Sequence, residues 1–133
     1  MMTLLFASIL GVWHLTGMEC SSGATPDLSQ LPAISNAVLT VEPQAVSVAF
    51  EATYDGSTCV VGGNGTYTLK GDKFTPDFPS VDINCDGQSD ALSVGAISTT
   101  ASIGEQSMRV SAKVSEIKAC PAADEFVLVF ARH

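Results

Sequence analysis

The stretch Ala45-Val-Ser-Val-Ala-Phe-Glu-Ala-Thr-Tyr54 decides the fold class. Val46, Val48, Phe50, Ala52 and Tyr54 fall on one side of an extended chain, and Ser47, Glu51 and Thr53 on the other. A period of two with one apolar face is what a half-buried strand requires. The flanks agree. Glu42-Pro43-Gln44 is a turn, because proline cannot continue a ladder. Asp55-Gly56 is a dipeptide of tight hairpins.

Working outward from this strand, the same period recurs. Met108-Arg-Val-Ser-Ala-Lys-Val114 alternates, with Met108, Val110, Ala112 and Val114 predicted inward. Trp13 to Met18 reads as a first strand and Ala37 to Val41 as a second. Residues 20–35 read as a Ser, Gly and Pro loop with a helical turn near Asp27-Leu-Ser-Gln30. Cys59 to Leu69 is a fourth strand, with a bulge or bend predicted at Gly62-Gly-Asn-Gly65. Lys70-Gly-Asp-Lys73 turns into a short strand at Phe74, followed by an edge-like stretch with Pro76 and Pro79. Residues 82–90 read as a polar loop, Leu92 to Ser98 as a sixth strand, and Glu125 to Arg132 as the last. No segment sustains a helical period. The expectation is an all-β chain of about eight antiparallel strands in an up-and-down barrel with two disulfides.

The chain has 133 residues, enough for one domain with one core, expected over residues 11–133. Charged residues make up 15 % and apolar ones 46 %, which argues against disorder. The formal charge of −8 and the absence of a Lys/Arg patch exclude a nucleic-acid partner as an expectation. Cys20, Cys59, Cys85 and Cys120 form no C-x-x-C pair, so two structural disulfides are expected in preference to a zinc or redox motif. That places the protein in an oxidising compartment, secreted or periplasmic. Four cysteines allow three connectivities. When strands alternate in direction, all four fall at one end of the barrel, as pairing requires.

Residues 1–12 read as a truncated signal segment that runs into the first strand. Met1 to Leu10 is apolar but has no Lys/Arg start and no small-x-small cleavage site; a cleavable signal is the alternative. The stretch is too short for a transmembrane anchor, and none is expected.

Gly11-Val12-Trp13 resembles the G-x-W motif that opens the first strand of lipocalins, and Arg132 ends the last strand. Gly65-Thr-Tyr-Thr-Leu-Lys-Gly-Asp-Lys-Phe-Thr75 resembles a hairpin of small bacterial lipocalin-like (calycin) domains. The resemblance implies that Arg132 packs across Trp13 to close the barrel floor. It also implies a small apolar ligand entering at the opposite, disulfide-bearing end. Val48, Phe50, Ala52, Tyr54, Val110 and Ala112 are the ligand-binding candidates. Cys59, the Tyr67 hairpin and Cys85 are also similar in spacing to the META-domain family of envelope proteins. An envelope-associated protein-interaction barrel, META-like or protease-inhibitor-like, is therefore the second functional reading. In a barrel whose first strand closes on its last, Cys20 pairs with Cys120 and Cys59 with Cys85.

Asp82-Ile-Asn84-Cys-Asp86-Gly87-Gln88-Ser-Asp90 matches the calcium loop D-x-[DN]-x-[DN]-G-x-x-D. Asp82, Asn84, Asp86, Gln88 and Asp90 would supply oxygens to a weakly held Ca2+. Ser93 stands where a bidentate carboxylate would complete the site. A solvated turn rich in Asx residues is the other reading. His14 and His133 are the only histidines, one in the first strand and one at the last position, and no shared metal or catalytic role is expected of them. No G-x-S-x-G, H-E-x-x-H or P-loop occurs, so no catalytic residues are assigned and no enzyme is expected.

Overall fold

The computed structural model describes residues 8–27, 29, 33–113 and 119–133, together with the backbone but not the side chain of Tyr54. Its ten strand segments, in chain order, are β1 (Gly11–Cys20), β2 (Ala33–Glu42), β3 (Ala45–Tyr54), β4 (Ser57–Lys70) and β5 (Lys73–Cys85), then β6 (Gln88–Leu92), β7 (Gly95–Ala96), β8 (Thr99–Ile103), β9 (Ser107–Ala112) and β10 (Phe126–Arg132). Every pairing is antiparallel. β6, β7 and β8 descend one after another along the same flank of β5, pairing with Val81–Cys85, Asp77–Phe78 and Lys73–Phe74. Together they fill one place in the wall. The result is a closed eight-stranded antiparallel barrel, completed where β1 meets β10.

Turn chemistry sets the hairpins. Asp55-Gly56 and Asp86-Gly87 both have positive φ at each central residue, the type I′ geometry that matches strand twist. Pro43-Gln44 joins β2 to β3 with Gln44 left-handed. At Gly65 the β4–β5 register slips between Asn64 and Thr66, so the chain bulges there as the glycine cluster suggests. A Cβ on Gly65 would lie 1.8 Å from the Asp77 carbonyl oxygen, so only glycine fits.

Several expected boundaries move. β2 begins at Ala33, inside the stretch read as a loop. Its register shifts between Ser35 and Val38, where Asn36 is left-handed, and this bulge interrupts the period of two that sequence reading relies on. β5 is not an edge, since it pairs on both sides. Pro79 falls within the bulge, and Pro76 falls where β7 gives way to β8, so neither missing N–H breaks a ladder bond. The expected strand over Leu92–Ser98 is interrupted at 93–94 and 97–98, and β8 follows it. The polar loop over residues 82–90 is instead the end of β5, a two-residue turn and β6. Val114 and part of the expected turn near Asp27 lie outside the described residues.

The core fills the lower part of the barrel, the end where β1 begins and β10 stops. Trp13, Leu39, Val41, Val46, Phe74, Phe78, Met108 and Phe130 are buried there in one cluster. Each fully buried large side chain contributes roughly 1.5–3 kcal/mol.

Candidate functional site at the upper end of the barrel

The floor is sealed. The Arg132 guanidinium lies 4.1 Å from the centre of the Trp13 ring, and Trp13 and Arg132 are direct cross-strand partners. Arg132 also donates from Nε to the Glu105 carbonyl, from Nη1 to the Leu10 carbonyl and from Nη2 to the Ser8 carbonyl, at 2.7, 2.7 and 2.6 Å. Trp13 Nε1 donates to the Ile9 carbonyl at 2.8 Å. Residues 8–10 are thus strapped across the floor, with Ile9 buried beneath.

The upper end differs. Cross-strand partners share a face, so the registers give the inner rows directly. One row runs Ile34, Ala52, Cys59, Cys85 across β2 to β5, and the next runs Phe50, Val61, Ile83. Facing them, Met18, Leu128 and Val110 form a row on β1, β10 and β9, with Cys20, Phe126 and Ala112 above. Phe50, Ala52, Ile83, Met18, Leu128, Phe126 and Ala112 are all only part-buried, unlike the floor residues. Of the expected ligand-binding set, Val48, Phe50 and Ala52 line β3 together and are half-buried. Ala112 faces them from the other wall. Val110 is buried in the filled core, and the Tyr54 side chain lies outside the described set.

Among the described residues the wall parts at two seams. β1 pairs with β2 only from Gly11 to His14, while β1 itself runs on to Cys20 beside β10. β8 joins β5 only at Thr99 and Thr100. Each upper sector carries one disulfide. Cys20–Cys120 ties the end of β1 to the segment leading into β10, and Cys59–Cys85 joins direct partners on β4 and β5. Sequence reading missed the seams, because pairing breaks leave no mark on hydrophobic alternation.

The residues expected to ligate calcium sit on the β5–β6 hairpin. Asp82 and Asn84 point to the outer face, whereas Asp90 is paired with Ile83 on the other face. Asn84 is engaged within the hairpin: its Nδ2 donates to Ser89 Oγ, and its Oδ1 accepts from the Gly87 amide. Asp86 is the first residue of the turn, and Gln88 opens β6 opposite Cys85. The five donors therefore spread over two strands and two faces. An open depression of about 700 Å³ lies on the outer side of this hairpin, against Val60, Gly62, Asp82 and Asn84. Among the described residues no group of three or more His, Cys, Asp or Glu side chains is placed to hold a metal.

On the outer wall Arg109 pairs with Glu19, and the hydrogen bond that Arg109 donates to this carboxylate holds its guanidinium above its usual range. His14 and His133, not expected to act together, are in ring contact on the same outer wall. Two disulfides fit an oxidising compartment. Among the described residues no helix is long and apolar enough to cross a membrane. Comparison of the chain with protein-family models, curated proteins and solved structures finds no match.

Proposed function

We propose that this chain is a secreted or periplasmic binding barrel, lipocalin-like in design, that takes one small apolar ligand at its disulfide-bearing end. The gradient of burial along the barrel axis carries this reading. Trp13 and Met108 are fully buried below, whereas the inward apolar residues Phe50, Ala52, Ile83, Leu128 and Ala112 remain partly open above. Eight-stranded barrels are either filled or wide enough for one small ligand, and a filled floor beneath a part-open upper half suits the second case. Two disulfides brace the two sectors, so the upper end is preorganised and loses little freedom on binding.

Titration with the neutral dye N-phenyl-1-naphthylamine tests this. Saturable one-to-one enhancement of dye emission is expected, abolished by Ala52→Trp, which fills the upper row. Trp13 emission should stay unchanged, because the indole is sealed at the other end. A folded protein that binds neither the dye nor medium-chain fatty acids would overturn the reading.

One observation favours a second reading, the protein-interaction barrel. Leu92, Val94 and Ile97 are 54, 42 and 36 % exposed along the broken strand, and β6 pairs with β5 alone among the described residues. A free strand edge with apolar side chains can accept an added strand from an extended peptide. Replacing all three residues by serine would then abolish partner capture and leave dye binding intact.

A further inference from the structure

The only two histidines of the chain, 119 positions apart in sequence, meet on the outer wall at its lower end. His14 Nε2 and His133 Nδ1 are 3.0 Å apart, with ring centroids 4.7 Å apart and planes tilted by 52°. Neither backbone is free to drift. His14 is paired on both sides, with Val38 of β2 and Ala131 of β10, and the His133 amide donates to the Val12 carbonyl at 2.9 Å.

We propose that His14 and His133 form a two-histidine site for a divalent first-row transition ion. Nitrogens held about 2.0–2.1 Å from one ion and at right angles about it stand about 3 Å apart, which is the spacing found here. Without metal, one ring donates its N–H to the other. On binding, that ring moves its proton to its second nitrogen, and both rings turn so that their lone pairs meet at the ion. No proton need leave the protein. Imidazole suits Cu2+, Ni2+ and Zn2+, with Cu2+ the tightest by the general order of affinities. No third protein ligand stands with the pair among the described residues, so water completes the coordination and the ion exchanges with solvent. The charge of −8 favours cation approach. Metal would then pin the first strand to the end of the last, beside the floor strap.

The test is isothermal titration of the full chain with NiCl2 and CuCl2, compared among the wild type, His133→Ala and His14→Gln. One-to-one binding is expected, weakened at least about tenfold in each variant. The electron paramagnetic resonance spectrum of the Cu2+ form should show two coupled nitrogens, reduced to one in His133→Ala. His133 is exposed and lies outside β10, so its replacement leaves the barrel folded even if His14→Gln does not. Wild-type affinity equal to that of His133→Ala, or no saturable binding at millimolar metal, would overturn the proposal.

Discussion

Arg132 combines three carbonyl contacts with a ring stacked against its guanidinium, and all of them hold the floor. Removing the side chain in Arg132→Ala should cost about 1–2 kcal/mol, from the lost cation–π contact and the packing of its methylenes. Urea denaturation gives the number, and a loss below about 0.3 kcal/mol would mean that the strap bears no load. Gly65 is the opposite case, a residue that matters for what it lacks. In Gly65→Ala the new methyl group meets the Asp77 carbonyl, so β4 and β5 must separate or the bulge must move. A loss of about 3 kcal/mol is expected, whereas Gly17→Ala, where an added Cβ meets nothing within 4 Å and φ is not positive, should cost much less. Thermal melts of the two variants make the comparison. Trp13 and Arg132 were legible as a pair through the G-x-W resemblance, with both placed at the lower ends of the terminal strands. The His14–His133 contact was not, because adjacency of the first and last strands does not by itself say which side chains meet on the outer wall.

Among the elements, the β5–β6 hairpin shows one spacing that admits two readings. Asp55-Gly56 was readable as a hairpin because alternating strands flank it. Asp86-Gly87 makes the same type I′ turn, and its flanks carry Asp82, Asn84 and Asp90 at the spacing of a calcium loop. Spacing of oxygen donors does not specify whether the chain wraps around an ion or lies flat in a ladder; the Cys59–Cys85 partnership and the registers on both sides of β5 favour the ladder. The two disulfides differ in what they restrain. Cys20–Cys120 closes 100 residues and Cys59–Cys85 closes 26. By loop-closure entropy, losing the first as a Cys-to-Ser pair should cost about 4–5 kcal/mol and losing the second about 3.5 kcal/mol. Guanidinium denaturation of the two double variants ranks them, and a reversed order would show that native-state geometry outweighs chain entropy.

At the scale of the whole molecule, the all-β class, the barrel and the grouping of cysteines at one end were legible from period-two stretches and turn dipeptides. The two seams were not, because they arise where ladders end, above the β1–β2 pairing beside the β2 bulge at Asn36 and along the strand interrupted at 93–94 and 97–98, and ladder length leaves no mark on alternation. Uneven pairing predicts uneven opening. Hydrogen exchange should be slowest in the β3–β4 ladder, paired from Val46–Gly65 to Tyr54–Ser57, and fastest in β6 and β7. Mass-resolved exchange that protected β6 as well as β3 would argue that another chain covers that edge.

The β1–β10 junction has a consequence for biogenesis. β2 to β5 are successive hairpins and can assemble as soon as each is synthesised, but most of β1 has β10 as its ladder partner. During vectorial synthesis β1 emerges before β10 and is completed last. Through that interval the Cys20 thiol is without Cys120, while Cys59 and Cys85 are already at hand. Two of the three possible cross-links available before the C-terminal strand arrives are therefore wrong, and oxidative maturation should depend on thiol–disulfide exchange to clear them.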